Sequence, residues 1–311
     1  MTADFALFTG TAHPALAESV ARELNVPLAA SLVERFPDGE VSVRIGASVR
    51  GKDVFLIQPT SPPVDPHLVE LLAFVDACRR GAAARVTAIV PYFGYARADK
   101  RVGRREPIMG RVVADVLETV GVDHLVTVDL HTPQLEGFFH IPVDALTAVP
   151  VLGAALAPLV PDEVVVVAPD AGRVALATAY ANRLGAPVAV LHKRRESGAE
   201  TRVTHVVGDV QDRPCLIVDD IIATGGTLVE GVAAVLAAGA RPEITVAATH
   251  GLFVADARER LNHPAIRQIL VTDTVSVDVG DRPRVRVVSV APLLAAAIRR
   301  FLADGSLGDL F

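Results

Sequence analysis

The sequence predicts an α/β protein of two tandem domains, each a mostly parallel sheet flanked by helices. Its strongest β-like segments, such as FLI from Phe55 and VVVVA from Val164, are near-continuous apolar runs, the pattern of strands covered by helices on both faces. The chain also repeats itself. FTGTAHPALAESVARELNVPL from Phe8 lies on APDAGRVALATAYANRLGAPV from Ala168 at a shift of 160, pairing Ala15 with Ala175, Leu16 with Leu176, Ala17 with Ala177, Ala21 with Ala181, Leu24 with Leu184 and Pro27 with Pro187. Finally, 311 residues at 51% hydrophobic content are enough chain for two substantial cores.

In chain order, each repeat opens as strand, loop, helix, loop. The strand Val54–Ile57 falls against Cys215–Val218 with a shift of one more, which sets Gln58-Pro59 where the second copy has Asp219-Asp220; Leu68-Val69-Glu70 matches Leu228-Val229-Glu230 at 160. A further buried strand leads into PYFGYARADKRVGRREPI, and LVTVDL forms a strand ending at His131. The domains join near residues 146–162, giving an amino-terminal domain 1–146 and a carboxy-terminal domain 147–311 whose last residues could pack back on the first. In the second copy, the strand AVL from Ala189 leads into a loop, HKRRESG, and a helix begins near Leu228.

Composition narrows the function. A net charge of −6 argues against a nucleic-acid partner. Cys78 and Cys215 sit in apolar runs, so no disulfide framework is expected and a reducing compartment fits. The opening MTADFALFTG lacks the basic and apolar regions of an export signal, and no stretch reaches the length of a membrane span. A cytoplasmic enzyme without a membrane partner is expected.

The densest chemistry lies in CLIVDDIIATGGTL from Cys215. Asp219 and Asp220 are placed at the carboxyl end of a buried strand, where open α/β sheets bind ligands. Thr224, Gly225, Gly226 and Thr227 form a loop whose amides can close on a phosphate, with a helix dipole behind them. Adjacent acids suit a neighbouring sugar, since each accepts from a hydroxyl. Together they describe a ribose 5-phosphate pocket. The first copy lacks the acid pair but carries RFPDGEVSVRI from Arg35, and Arg97, Lys100, Arg101, Arg104 and Arg105 in a stretch with two glycines, suited to a flexible polyphosphate-binding loop.

Asp-Asp before Thr-Gly-Gly-Thr resembles the ribose-phosphate loop of the type I phosphoribosyltransferase fold. FTGTAHPALAESVARELN, FPDGE, SVRGKDVFLIQPTS, PYFGYARADKR, REPI, DLHTPQLEGFF, APDAG, KRR and VDDIIATGGT together resemble the ribose-phosphate pyrophosphokinases, or PRPP synthetases, in their order and spacing. The resemblance implies two phosphoribosyltransferase-like domains and transfer of the β,γ-diphosphoryl group of ATP to the anomeric hydroxyl of ribose 5-phosphate. It implies ATP binding by Phe36, Asp38, Gly39, Glu40, Arg97 and Ala98, and catalysis by Lys193 and Arg195. Arg195 with Asp219, Asp220, Ala223, Thr224, Gly225, Gly226 and Thr227 would take ribose 5-phosphate. His131 and Asp170 fall at Mg²⁺-associated positions, and a homo-oligomer built from dimers, up to a hexamer or stopping at a smaller form, is implied.

The chain departs from the family pattern at Ala98, where Gln is common, and at Ala223, where an acid or Ser is usual. A nucleotide-binding paralogue without turnover therefore stays open, as does a phosphoribosyltransferase that consumes PRPP. Of the family's phosphate- and ADP-responsive pattern, Ser48, Arg50 and Ser306 match while Arg104 and Gly308 replace Ser, so weak ADP inhibition is expected.

Overall fold

The computed structural model describes residues 5–101, 103–197, 200–280 and 284–311, with the backbone alone for 193–197 and 200–204. The chain forms two units. One takes the residues up to Thr147 with Thr274–Ser276 and Val290–Phe311; the other takes Ala148–Asp273 with Val277–Ser289.

The first unit runs through β1 (Phe5–Thr9), α1 (Pro14–Leu24), β2 (Ser31–Arg35), β3 (Val41–Ile45), β4 (Asp53–Ile57), α2 (Val64–Arg80), β5 (Arg85–Val90), α3 (Met109–Val120), β6 (His124–Val128) and β7 (Val143–Leu146). Then come α4 (Val149–Leu156), β8 (Val165–Ala168), α5 (Val174–Leu184), β9 (Val188–Ser197), β10 (Glu200–Val207), β11 (Cys215–Ile222), α6 (Gly226–Ala237), β12 (Ile244–Gly251), α7 (Ala257–Arg260), β13 (Ile266–Thr272) and β14 (Val285–Val288) in the second unit, before α8 (Ala291–Leu302) rejoins the first.

The sheets share one plan. The first has the order β1-β4-β5-β6-β7 and the second β10-β9-β8-β11-β12-β13-β14, so β8, β11, β12, β13 and β14 repeat the first five strands. All pairs within these two sets of five are parallel. Every residue of β8 and β12 is buried, which explains the unbroken apolar runs. Apolar faces of α1, α2, α3, α5 and α6 complete the cores. Pro14 opens α1, where a missing N–H costs nothing, and His13 Nδ1 accepts from Leu16 N at 3.3 Å. Asn25 and Gly185, both left-handed, end α1 and α5.

The last helix of each repeat is traded. α4 follows β7 but packs on α5, β13 and β14, whereas α8 follows β14 but packs on α1. In the first unit Phe301 of α8 lies 6.2 Å from the ring of Phe55 and 4.8 Å from that of His124.

The duplication is real, but its register corrects the sequence alignment. The shift of 160 holds for α1 against α5. With β1 and β8 aligned at that shift, Leu7 pairs with Phe55 and Val167 with Ile217, so β4 meets β11 at a shift of 162. The helices that follow begin at Val64 and Gly226, at the same 162. Ile57 and Gln58, rather than Gln58 and Pro59, therefore stand in the places of Asp219 and Asp220. The Leu-Val-Glu match is likewise accidental: Glu70 is fully buried while Glu230 is exposed, as a two-residue slip on a helix demands.

Glu70 is the polar centre of the first unit. Its carboxylate accepts from Thr11 N and Thr11 Oγ1, each at 2.6 Å, from Gln58 Nε2 at 3.2 Å and from Arg35 at 3.0 Å. Gln58 Oε1 in turn accepts from Ala12 N at 3.1 Å. Removing an acid that satisfies so many buried donors should be costly, so Glu70→Ala is expected to lower stability by about 3–5 kcal/mol, against under 1 kcal/mol for exposed Glu230→Ala. Urea denaturation of both variants measures the contrast; equal losses would contradict it.

Candidate active site

The second unit's site begins where β11 outruns a neighbour. β8 pairs with β11 only from Cys215 to Ile217, whereas β12 accompanies it to Ile222. The sequence placed the acids past a strand ending at Val218; they lie inside the longer strand, because that half of its ladder continues. Asp219 and Asp220 are 9% and 4% exposed on the edge that β8 leaves.

Their companion is Arg173, which closes a 3-10 turn at Ala171–Arg173 just before α5. Its Nε lies 3.3 Å from Asp219 Oδ1 and 3.1 Å from Asp220 Oδ1, with the guanidinium itself largely buried. Burial first, then the neighbouring Asp220, pushes the Asp219 carboxyl well above its ordinary value, and Arg173 acts against them. Sequence reasoning missed Arg173. The available signal was its place in the repeat, where it falls on the polar cap residue His13. Asp170 starts the same turn, its Oδ1 accepting from Gly172 N at 2.8 Å.

Ala223–Thr227 leaves β11 directly. Gly225 has φ +75°, a conformation that favours glycine, and a Cβ there would stand 3.0 Å from Leu261 Cγ. It caps the twelve-residue α6, which starts at Gly226 rather than near Leu228. The first-turn amides that no helical carbonyl can reach thus begin six residues after Asp220, the arrangement that binds anions. A second unforeseen cation, Arg260, has Nη1 3.2 Å from the position of a Cβ on Gly226 and pairs with Asp256 at 2.7 Å. In the first copy Ser61-Pro62-Pro63-Val64-Asp65 occupies this place, where two prolines offer no N–H.

Lys193 and Arg195 were expected on a loop. Their backbone continues β9, opposite Val203 and Thr201 of the antiparallel β10; their side chains lie outside the described residues.

In the first unit, Phe36, Asp38, Gly39 and Glu40 form the tip of the β2–β3 ribbon. Gly39 N donates to Phe36 O and Phe36 N to Glu40 O, both at 2.9 Å, and Asp38 Oδ1 accepts from Glu40 N at 3.1 Å. Phe36 is 49% exposed. A cleft of about 420 Å³ touches Gly39, Glu40, Asp65 and Pro66. A second, of about 570 Å³, touches Asp65, Pro66, Tyr95, Arg97 and Ala98. The start of α2 therefore brings two of the hairpin residues, Gly39 and Glu40, and Arg97 with Ala98 to adjoining clefts; Phe36 and Asp38 line neither. Tyr95 Oη donates to Asp65 at 2.5 Å, a bond that raises the phenol above its usual range.

The glycines of the basic segment are held rather than loose: Gly94 N donates to Thr60 Oγ1 at 2.6 Å and Gly103 N to Glu106 at 2.8 Å. His131 follows β6, which ends at Val128, three residues earlier than expected. Asp129 turns at φ +41° and accepts from Thr147 Oγ1 at 2.8 Å. Among the described residues, no three His, Cys, Asp or Glu gather where they could hold a metal.

An acid raised by the fold carries extra stability at low pH that is lost as pH rises from its unfolded value, near 3.8, through the folded one. Asp219→Asn removes that group, so its stability relative to the parent should rise as pH increases above about 4. Urea melts across that rise measure it, and an unchanging difference would contradict the buried-acid account.

The N-terminal domain of ribose phosphate pyrophosphokinase matches residues 5–121, and the phosphoribosyl synthetase-associated domain matches residues 199–311. A ribose-phosphate pyrophosphokinase of Maricaulis maris is 44% identical over 308 residues, covering 98% of this chain and 99% of its own. One from Streptomyces coelicolor is 43% identical over 98% and 95% of the two chains. The crystal structure of phosphoribosylpyrophosphate synthetase from Mycobacterium smegmatis superposes with a TM-score of 0.89 at 42% identity, covering 97% of this chain and 99% of that one. With both units and both halves of the sequence accounted for, the chain belongs to the ribose-phosphate pyrophosphokinase family.

Proposed function

We infer that the protein makes 5-phospho-α-D-ribose 1-diphosphate by moving the β,γ-diphosphoryl group of ATP to the anomeric hydroxyl of ribose 5-phosphate, releasing AMP. The observation that carries this reading is the asymmetry of the duplicated units within a full-length family match. The second copy keeps a buried acid pair beside an amide-rich loop, while the first fills the same place with Gln58, Glu70 and two prolines and opens clefts elsewhere. A PRPP-consuming phosphoribosyltransferase would account for the second unit alone.

In this mechanism Asp219 and Asp220 accept from the ribose hydroxyls, while the amides of Ala223–Thr227 hold the 5-phosphate. Phe36 stacks on adenine; Asp38 or Glu40 accepts from its amino group; Arg97 lies over the polyphosphate from its cleft. The anomeric oxygen attacks the β-phosphorus in line, the bond from that phosphorus to AMP breaks, and the hydroxyl proton is lost. Lys193 offers a point charge and Arg195 a planar fork to the charge that develops.

Mg²⁺ characteristically binds through one or two carboxylates plus substrate phosphates. A chain without a ready-made ligand cluster among its described residues suits an ion that arrives with ATP. Asp170, with one oxygen committed to Gly172, and His131 would hold the Mg²⁺-associated positions. The ion would supply neutralisation of the phosphates.

The enzyme is taken to work in the cytoplasm as a homo-oligomer built from dimers, up to a hexamer or a smaller form. In support, no described helix is long and apolar enough to cross a membrane. The thiols of Cys78 and Cys215 are buried, joined in no disulfide and pushed up to about 11 by burial. Leu32 and Val69 of the first unit are about half exposed, apolar surface that a second copy would cover.

AMP formation from ATP and ribose 5-phosphate, set against PRPP consumption with a panel of bases, tests the activity. Within it, Lys193→Ala should lower kcat roughly 100- to 1,000-fold with the KM for ribose 5-phosphate within about threefold; unchanged kcat would remove Lys193 from catalysis. Ala98 offers no side-chain hydrogen bond to a base edge, so GTP and CTP should be rejected only weakly. Strict ATP preference in a donor panel would show that other groups in the site read the base.

A further inference from the structure

We propose that Arg173 is the positioning residue that makes the ribose site specific for a cis-diol. Its Nε lies 3.3 Å and 3.1 Å from the Oδ1 atoms of Asp219 and Asp220. The proposal rests on the assignment of the acid pair to ribose made above, and adds what holds the pair in place.

Successive residues of a strand point to opposite faces, so Asp219 and Asp220 have no intrinsic reason to serve one ligand. Arg173 supplies the reason. It stands beyond the end of β8, on the edge of β11 where the parallel ladder has stopped, and from there its Nε reaches the Oδ1 atom of each acid. Asp219 Oδ1 also accepts from Asp220 N at 2.9 Å. Both Oδ1 atoms are thereby tethered to one guanidinium nitrogen, and a largely buried cation offsets the mutual repulsion of two adjacent acids.

The repeat supplies an independent comparison. In the first copy the acid places hold Ile57 and Gln58, and the guanidinium's place holds His13, whose Nδ1 caps α1. Gln58 is spent on Ala12 N and Glu70. The cation and the acid pair thus occur together in one copy and are both absent from the other.

A site that presents fixed acceptors rejects an analogue lacking the matching hydroxyl, because a buried acceptor is then left unpaired. If Arg173 fixes them, its loss should relax the choice between ribose 5-phosphate and 2-deoxyribose 5-phosphate. The measurement is kcat and KM for each sugar phosphate with parent, Arg173→Ala, Arg173→Lys and Asp219→Ala. The kcat/KM ratio of the two sugars should fall roughly tenfold in Arg173→Ala, through the KM for ribose 5-phosphate and with the KM for ATP unmoved. Arg173→Lys should recover part of the ratio, since an ammonium keeps the charge but not the fork. Should Arg173→Ala fail to fold, the lysine variant carries the test, and its ratio must still fall below the parent's. A ratio lowered in Asp219→Ala but unchanged in the Arg173 variants would overturn the role of Arg173 alone. Unchanged ratios in all variants would overturn the acid-pair assignment with it.

Discussion

A strand that outruns its neighbour leaves one backbone edge without a ladder, and in the second unit β11 does so from Val218 onward while β12 still holds its other edge. The chain's most consequential residues sit on that step. The retained ladder keeps Asp219 and Asp220 rigid and almost fully buried; the missing one lets a group from the next loop approach them. Two adjacent carboxylates with so little water repel each other and resist ionisation, so the opening also has to admit a cation. Arg173 fills that need, and the phosphate loop starts three residues after Asp220.

The duplicated units show how one framework carries different chemistry. Strand order, parallel register and the placement of the first helix agree between the copies, as do the left-handed residues that end α1 and α5. They diverge in the segments after the strands. The loop after β11 has a glycine at positive φ that caps α6; its counterpart has Pro62-Pro63. Where the second unit carries acids, the first carries an amide fastened to the buried Glu70. Glu70 also bonds Arg35 at the base of the β2–β3 ribbon, so the group that holds Gln58 also anchors the hairpin carrying Phe36 to Glu40. The trade of α4 and α8 gives each unit the last helix of the other repeat, so the first unit closes with a segment from the far end of the chain.

The fold was largely legible. Unbroken apolar strands in VVVVA and FLI announce parallel sheets whatever their neighbours, and the Ala-Leu-Ala match of the two first helices survives because both pack the same face on the same strand. The slip between β4 and β11 was not legible. Apolar strands of similar composition align almost as well one residue out, and only hydrogen-bonded register separates the choices. The Leu-Val-Glu coincidence failed for the same reason: composition carries no information about which way a helical residue faces.

Of the candidate site, the parts built from consecutive residues could be seen in advance. Acid, acid, then a Thr-Gly-Gly-Thr turn is a local arrangement, and its geometry follows from short-range backbone preferences. FPDGE likewise encodes its own hairpin tip, through the Asp38 side chain and the φ of Gly39. Arg173 and Arg260, and the network of Thr11, Arg35, Gln58 and Glu70, could not be seen, because each depends on segments distant in the chain meeting across a buried edge. The sequence by itself determined the repeating α/β pattern, the family and the contiguous ribose-phosphate loop. The tertiary structure alone decided where β8 stops, and so which cation reaches the acids, because burial, ladder register and charge pairing come from contacts that no local stretch of residues contains.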